Sequence, residues 1–198
     1  MRKPQILEAA AAVITERGLS NTRIADVAER AGTSAPAVLY WFDTREQLLT
    51  AALIADEEDF AARVGARLES ASSAAEKLML LIDATVAEPR IDLWIELWAR
   101  SLHDPEAARE RLRRDRVWRS LFAEVVVAGR AAGEFDAGVD PDLAALSIAS
   151  FMDGLSVQMT LRDPAITPEL MGDLLVAHAE SILGARISGA LDAEAVGA

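Results

Sequence analysis

The sequence has no cysteine, a single tyrosine and only two histidines in 198 residues. Without cysteine there can be no disulfide framework, thiolate metal site or thiol nucleophile, and nothing in the composition points to secretion. Neither His103, near Asp104 and Glu106, nor His178, near Glu180, belongs to a set of three metal ligands at helical spacing. A glycine-rich phosphate loop and a serine in a nucleophile elbow are also missing. The residues therefore point away from an enzyme, and no metal or cofactor is expected. No run of eighteen uncharged apolar residues occurs, and the amino-terminal stretch MRKPQILEAAAAVITERG carries charges inside its apolar run. Neither a signal peptide nor a membrane span is expected, which leaves the cytoplasm as the default compartment.

Hydrophobic residues make up 52% of the chain, enough for a sizeable core. They recur at helical spacing, and no segment sustains the alternation of a half-buried strand. The expected fold is all-α with about nine helices. Ile6, Ala10, Val13 and Ile14 mark one face of a first helix that Gly18 ends. Thr22 is expected to cap a second, short helix with Val27, Ala28 and Ala31 inward, and Ser34 a third running through Phe42. Thr44 opens a fourth helix, to about residue 68, and Gln47 completes a capping box. Ser73 with Glu76, Pro89, and the pairs Asp104-Pro105, Asp140-Pro141 and Thr167-Pro168 mark later boundaries. The stretch LAALSIASFMDGLSVQMTL is apolar around most of its circumference, as in a helix buried on several sides. Residues 188–198, rich in Gly, Ala and Asp, are expected to be disordered.

The net charge of −12 argues at first against nucleic acid, since binding a polyanion needs lysine and arginine to displace counterions. Its distribution changes that reading. Residues 1–47 balance six bases against six acids, so the whole deficit lies downstream. Only the amino-terminal end is suited to meet phosphate.

Two short helices joined across Gly32, the second starting with small and polar residues, form a helix-turn-helix over 24–43. The stretch RIADVAERAGTSAPAVLYWFDTREQLL, with its Ala-Gly-x-Ser turn, Tyr-Trp-Phe block and Thr-Arg-Glu-x-Leu-Leu helix start, resembles the TetR family of one-component repressors. The likeness covers about the first 60 residues. The later stretch beginning WIELWARSLHDPEAARERL resembles the regulatory domain of the choline-responsive, BetI-type branch. The resemblance implies a DNA-binding domain over 1–47 followed by a helical-bundle ligand-binding and dimerisation domain over 48–187.

It also implies roles for particular residues. Thr33, Ser34, Ala35, Pro36 and Ala37 match positions that face base edges. Here they are mostly apolar and suited to thymine methyls, with only two hydroxyls for hydrogen bonding. Thr22 lies at the same edge, and Arg23 is suited to a bidentate guanine or phosphate contact. Tyr40 and Trp41 match phosphate donors, and Thr44 with Arg45 matches a phosphate clamp at the start of the fourth helix. Arg45 sits where the helix dipole disfavours a cation, which suggests an anion opposite. Phe42 is assigned to the core. Leu39 departs from the family, where many relatives carry another tyrosine.

Downstream, the arginines of ARERLRRDRVWR are expected to form salt bridges rather than a second nucleic-acid surface. Ile91, Trp94, Ile95, Trp98 and Leu102 mark one amphipathic helix; Trp118, Leu121, Phe122 and Val125 mark another. Phe60, Trp94, Trp98, Trp118, Phe122, Met152 and Asp153 are candidates for a cavity that takes an apolar or cationic small molecule. The resemblance implies a homodimer, with Leu143, Leu146, Leu155, Leu170, Leu174, His178 and Ile182 as its candidate interface. The function that follows is a ligand-responsive transcriptional regulator, most simply a repressor released from a palindromic operator by an effector. A helical ligand-binding or oligomerisation protein without DNA binding is the alternative, ahead of a helical enzyme.

Overall fold

Nine α-helices and no strand occur among the described residues of the computed structural model, which describes residues 3–87 and 91–188. They are α1 (Lys3–Arg17), α2 (Ile24–Arg30), α3 (Ala35–Trp41), α4 (Arg45–Ser70), α5 (Ala74–Ala87), α6 (Ile91–Ser101), α7 (Pro105–Ala132), α8 (Pro141–Thr160) and α9 (Pro168–Leu183). The stop expected at Pro89 and the tail beyond Ser188 lie outside the described residues.

The helix starts follow local chemistry. The carboxylate of Asp104 accepts from the Glu106 and Ala107 amides at 2.9 and 3.3 Å, and Asp140 accepts from those of Asp142 and Leu143. Thr167 Oγ1 accepts from the Leu170 amide, and in each case proline follows at the first helical position. Ser73 Oγ accepts from the Glu76 amide, while Glu76 reaches back to the amide and hydroxyl of Ser72. Those bonds hold the Glu76 carboxyl below its ordinary pKa, the Ser72 amide contributing most. The start of α5 has a further partner: Glu134 accepts the Ala74 and Ala75 amides at 3.1 and 2.9 Å.

Two compact units divide the chain, Met1–Gly65 and Ala66–Ala198. The first extends beyond the boundary expected at residue 47, because all but the last five residues of α4 belong to it, and the start of that helix buries Leu48, Leu49 and Ala52. Its core also holds Ile6, Ala10, Val13 and Ile14 of α1, Val27 and Ala28 of α2, Val38 of α3, and Phe42. The units divide at Gly65, within α4, and beyond its chain neighbours and the helix's own backbone nothing lies within 4 Å of where a Cβ would stand on that glycine.

In the second unit α7 and α9 pack on α8, α6 packs on α7 and α8, and α5 packs on α7 and α9. By length and composition α8 is apolar enough to cross a membrane. Its neighbours account for much of that character, burying Ala144, Ala145, Ile148, Ala149, Met152 and Leu155. The buried side of α9 is formed by Met171, Leu175, Ala179 and Leu183. The face expected of α6 is only partly correct. Trp94, Ile95 and Trp98 are half-buried, Leu97 is buried, and Leu102, beyond the helix end at Ser101, is 78% exposed. The side chain of Ile91 lies outside the described residues.

Candidate nucleic-acid interface and effector site

The turn between α2 and α3 begins at Ala31, and Gly32 follows with φ +67°, a conformation that a side chain would strain. The Thr33 amide donates to the Ala28 carbonyl at 2.8 Å and closes the turn. Periodicity then decides which side of α3 faces inward. Val38 and Phe42, four residues apart, are buried, whereas Pro36, Leu39, Tyr40 and Trp41 face out. Tyr40 is 82% and Trp41 44% exposed, and their rings meet edge to face at 5.5 Å. Beneath them the Phe42 ring faces the Lys3 ammonium at 5.4 Å. Ser34 stands at the N-cap of α3 but makes no side-chain capping bond, so its exposed hydroxyl can serve another group.

The bases of this unit are not equivalent. Arg30 pairs with Glu16, and Arg17 with Asp26 at 2.8 Å. Arg23 is the N-cap of α2; its amide donates to Asp26, and its guanidinium extends into solvent without a partner among the described residues.

Two expectations are corrected. Thr22 neither caps α2 nor faces outward: it is completely buried, and its hydroxyl donates to the Gly18 carbonyl at 2.9 Å. Arg45 is not a free clamp. Its Nε donates to the Thr22 carbonyl at 2.7 Å, its Nη2 to the carbonyls of Leu19 and Ser20 at 2.5 and 3.2 Å, and its Nη1 pairs with Glu46 at 3.3 Å. The negative partner expected opposite this cation is supplied by loop carbonyls of the same unit. Thr44 does cap α4, accepting from the Gln47 amide, while Gln47 accepts from the amide of Asp43.

In the second unit four arginines of α7 are engaged along the helix. Arg111 pairs with Asp115 at 2.5 Å, Arg113 and Arg114 with Glu110, and Arg119 Nε donates to the Asp115 carbonyl. Trp118 stands edge to face with Phe122 at 5.7 Å. Phe122 and Met152 are fully buried, so a ligand could meet them only from inside the bundle. Asp153 of α8 is half-buried, and its carboxyl is pushed up to about 6, first by burial and then by the nearby Asp115 carboxylate, against the pull of Arg119. Phe60 falls in the first unit, where the Arg63 guanidinium lies 5.8 Å from its ring centroid.

Of the residues expected at a dimer interface, Leu143, Leu146 and Leu170 are exposed at 65%, 43% and 40%. Leu174 and Ile182 are half-buried. His178 Nε2 lies 3.2 Å from Ser147 Oγ and its ring 4.4 Å from that of Phe151, contacts that join α9 to α8 within one chain. Leu155 is corrected: at 6% exposure it belongs to the core of the single chain. Sequence periodicity missed this because α8 is apolar on nearly every side.

Comparison with known proteins agrees with this geometry. Residues 6–52 match the family described as bacterial regulatory proteins, tetR family, and residues 74–184 match the BetI-type transcriptional repressor C-terminal family. An HTH-type transcriptional regulator BetI from Cronobacter sakazakii is 30% identical over 169 residues, covering 81% of this chain and 80% of its own. Among solved structures, a TetR transcription regulator from Haloarcula marismortui superposes with a TM-score of 0.79 at 26% identity, covering 91% of this chain and 97% of its own. A protein from Saccharomonospora viridis, described as a transcriptional regulator and crystallised in complex with choline, superposes with a TM-score of 0.76 at 26% identity, covering 87% and 92%. The turn at Gly32, the outward-facing α3 and the helical second unit are thus those of a bacterial DNA-binding regulator, and the chain belongs to the TetR family with a BetI-type C-terminal domain.

Proposed function

We propose that the protein is a dimeric repressor that inserts α3 of each subunit into the major groove of a palindromic operator and leaves it when a small molecule binds the second unit. The exposure of Tyr40 beside buried Val38 and Phe42 carries the reading: a short helix anchored on one side offers its other side to a partner. From Ala35 to Trp41, α3 has no charged, asparagine or glutamine side chain. Its recognition is therefore assigned to apolar contacts of Ala35, Pro36 and Ala37 with thymine methyls, with Thr33 and Ser34 adding hydroxyl contacts. Tyr40, Trp41 and Thr44 donate to phosphates, and Arg23 meets a guanine edge or a phosphate.

The exposed leucines at 143, 146 and 170, with Leu174, supply the apolar part of a two-fold interface between α8 and α9 of two subunits. The second unit takes a cationic molecule against Trp94, Trp98 and Trp118, with Asp153 as its carboxylate. The choline complex of the Saccharomonospora viridis relative supports that chemistry.

Selection of bound sequences from random DNA at physiological salt tests the reading. The expected product is a palindrome whose half-sites lie about 34 Å apart along the helix axis. Enrichment of no sequence would overturn it. Tryptophan fluorescence titrated with choline and related amines tests the effector, and an unchanged signal across the series would remove the cationic assignment.

A further inference from the structure

We propose that Arg45 is a positioning residue that fastens the start of α4 to the α1–α2 turn, and so fixes the aim of Arg23, rather than a phosphate ligand. The inference rests on the operator-binding reading given above. The turn runs from Gly18 to Arg23 between two helices, and its carbonyls at Leu19, Ser20 and Thr22 all accept from the one guanidinium. With the Glu46 contact, four of the N–H donors of Arg45 are committed. A bidentate phosphate contact needs two parallel N–H groups from a group that carries five in all, so the fork cannot serve both tasks.

Charge-assisted bonds to three carbonyls hold the turn more firmly than neutral bonds of the same number. The only backbone bond within this turn, from the Thr22 amide to the Leu19 carbonyl, is long at 3.3 Å. Thr22 joins the two systems: its carbonyl accepts from Arg45, its hydroxyl ties back to Gly18, and the next residue is Arg23 at the N-cap of α2. A displacement at the start of α4 thereby reaches Arg23 through one hydrogen-bonded residue, without passing through the reading helix.

Two measurements on the full chain test this, with Arg45→Met keeping the aliphatic stem and removing every donor. Hydrogen exchange without DNA, well below the melting temperature, is expected to be at least tenfold faster at the Thr22 and Arg23 amides and unchanged in α3. Operator affinity is then measured for wild type, Arg45→Met, Arg23→Met and the double variant. Arg45→Met alone is expected to weaken binding at least tenfold, and the double variant to bind little worse than Arg45→Met, since Arg23 is already misaimed.

Multiplicative losses in the double variant with unchanged exchange would identify Arg45 as an independent phosphate contact and overturn the proposal. Undiminished affinity in Arg45→Met would also overturn it. A general loss of folding would multiply with the Arg23 effect and speed exchange throughout the unit, and is read as overturning. If the wild type retains no DNA, the operator reading fails, and the exchange experiment alone decides whether Arg45 holds the turn.

Discussion

Aromatic residues take opposite roles in the two units. In the first, Tyr40 and Trp41 stand in solvent while Phe42, next in sequence, is buried. In the second, Phe122 is completely buried and Trp118 leans edge-on against it, half-buried. Ring burial contributes strongly to stability, so a small unit that leaves two rings outside forgoes that contribution where a partner can use them. The difference separates rings that hold a fold from rings offered outward, even at adjacent positions.

The widest gap should appear between Phe42 and Tyr40. Phe42→Ala is expected to destabilise the first unit by about 3–5 kcal/mol through the cavity it leaves, read by chemical denaturation, with loss of DNA retention following from unfolding. Tyr40→Ala should change stability by no more than about 0.5 kcal/mol yet weaken operator binding roughly tenfold. Similar stability losses for both would break the comparison.

Asp153 sharpens the picture of the second unit. Its carboxyl holds a proton in the folded state up to about pH 6, whereas in the unfolded chain it ionises near 3.8. The folded state therefore binds more protons between those values, and this group's contribution to stability falls as pH rises through the window, then stays flat above it. Asp153→Asn should remove that slope and stabilise the protein at pH 7 by about 1–2 kcal/mol, allowing for partial solvent screening. The same variant should lose any fluorescence response to choline. Thermal melts from pH 4 to 7 check the first outcome, and equal melting shifts at all pH values would contradict it.

The smallest effect concerns the bases. Replacing thymine with deoxyuridine in the selected half-site, one position at a time, removes only a methyl group. Where Ala35, Pro36 or Ala37 touches it, affinity should fall about two- to fivefold, the scale of one buried methyl. Equal affinity at every position would show that the apolar start of α3 reads no methyl.

Most helix boundaries were legible in the sequence because a cap is a local event. Asp104, Asp140 and Thr167, each followed by proline, bind amides two or three residues away. The turn at Gly32 was legible for the same reason. Arg45 was not, because its acceptors lie 23 to 26 positions earlier and meet it only through tertiary packing. Thr22 was misread along with it, since a threonine before a helix has the same local signature whether it caps or is buried. Leu155 failed for another reason: on a helix apolar all round, periodicity cannot choose which leucine faces its own bundle. In the sequence Asp153 was visible only as a charge among aromatics; its burial and the proximity of Asp115 required the fold.

At Gly65 helix α4 carries a residue about 1 kcal/mol poorer at sustaining a helix than alanine, although a methyl group there would collide with nothing. Steric need does not account for it. The residue of lowest helix propensity in this 26-residue helix thus coincides with the division between the two units.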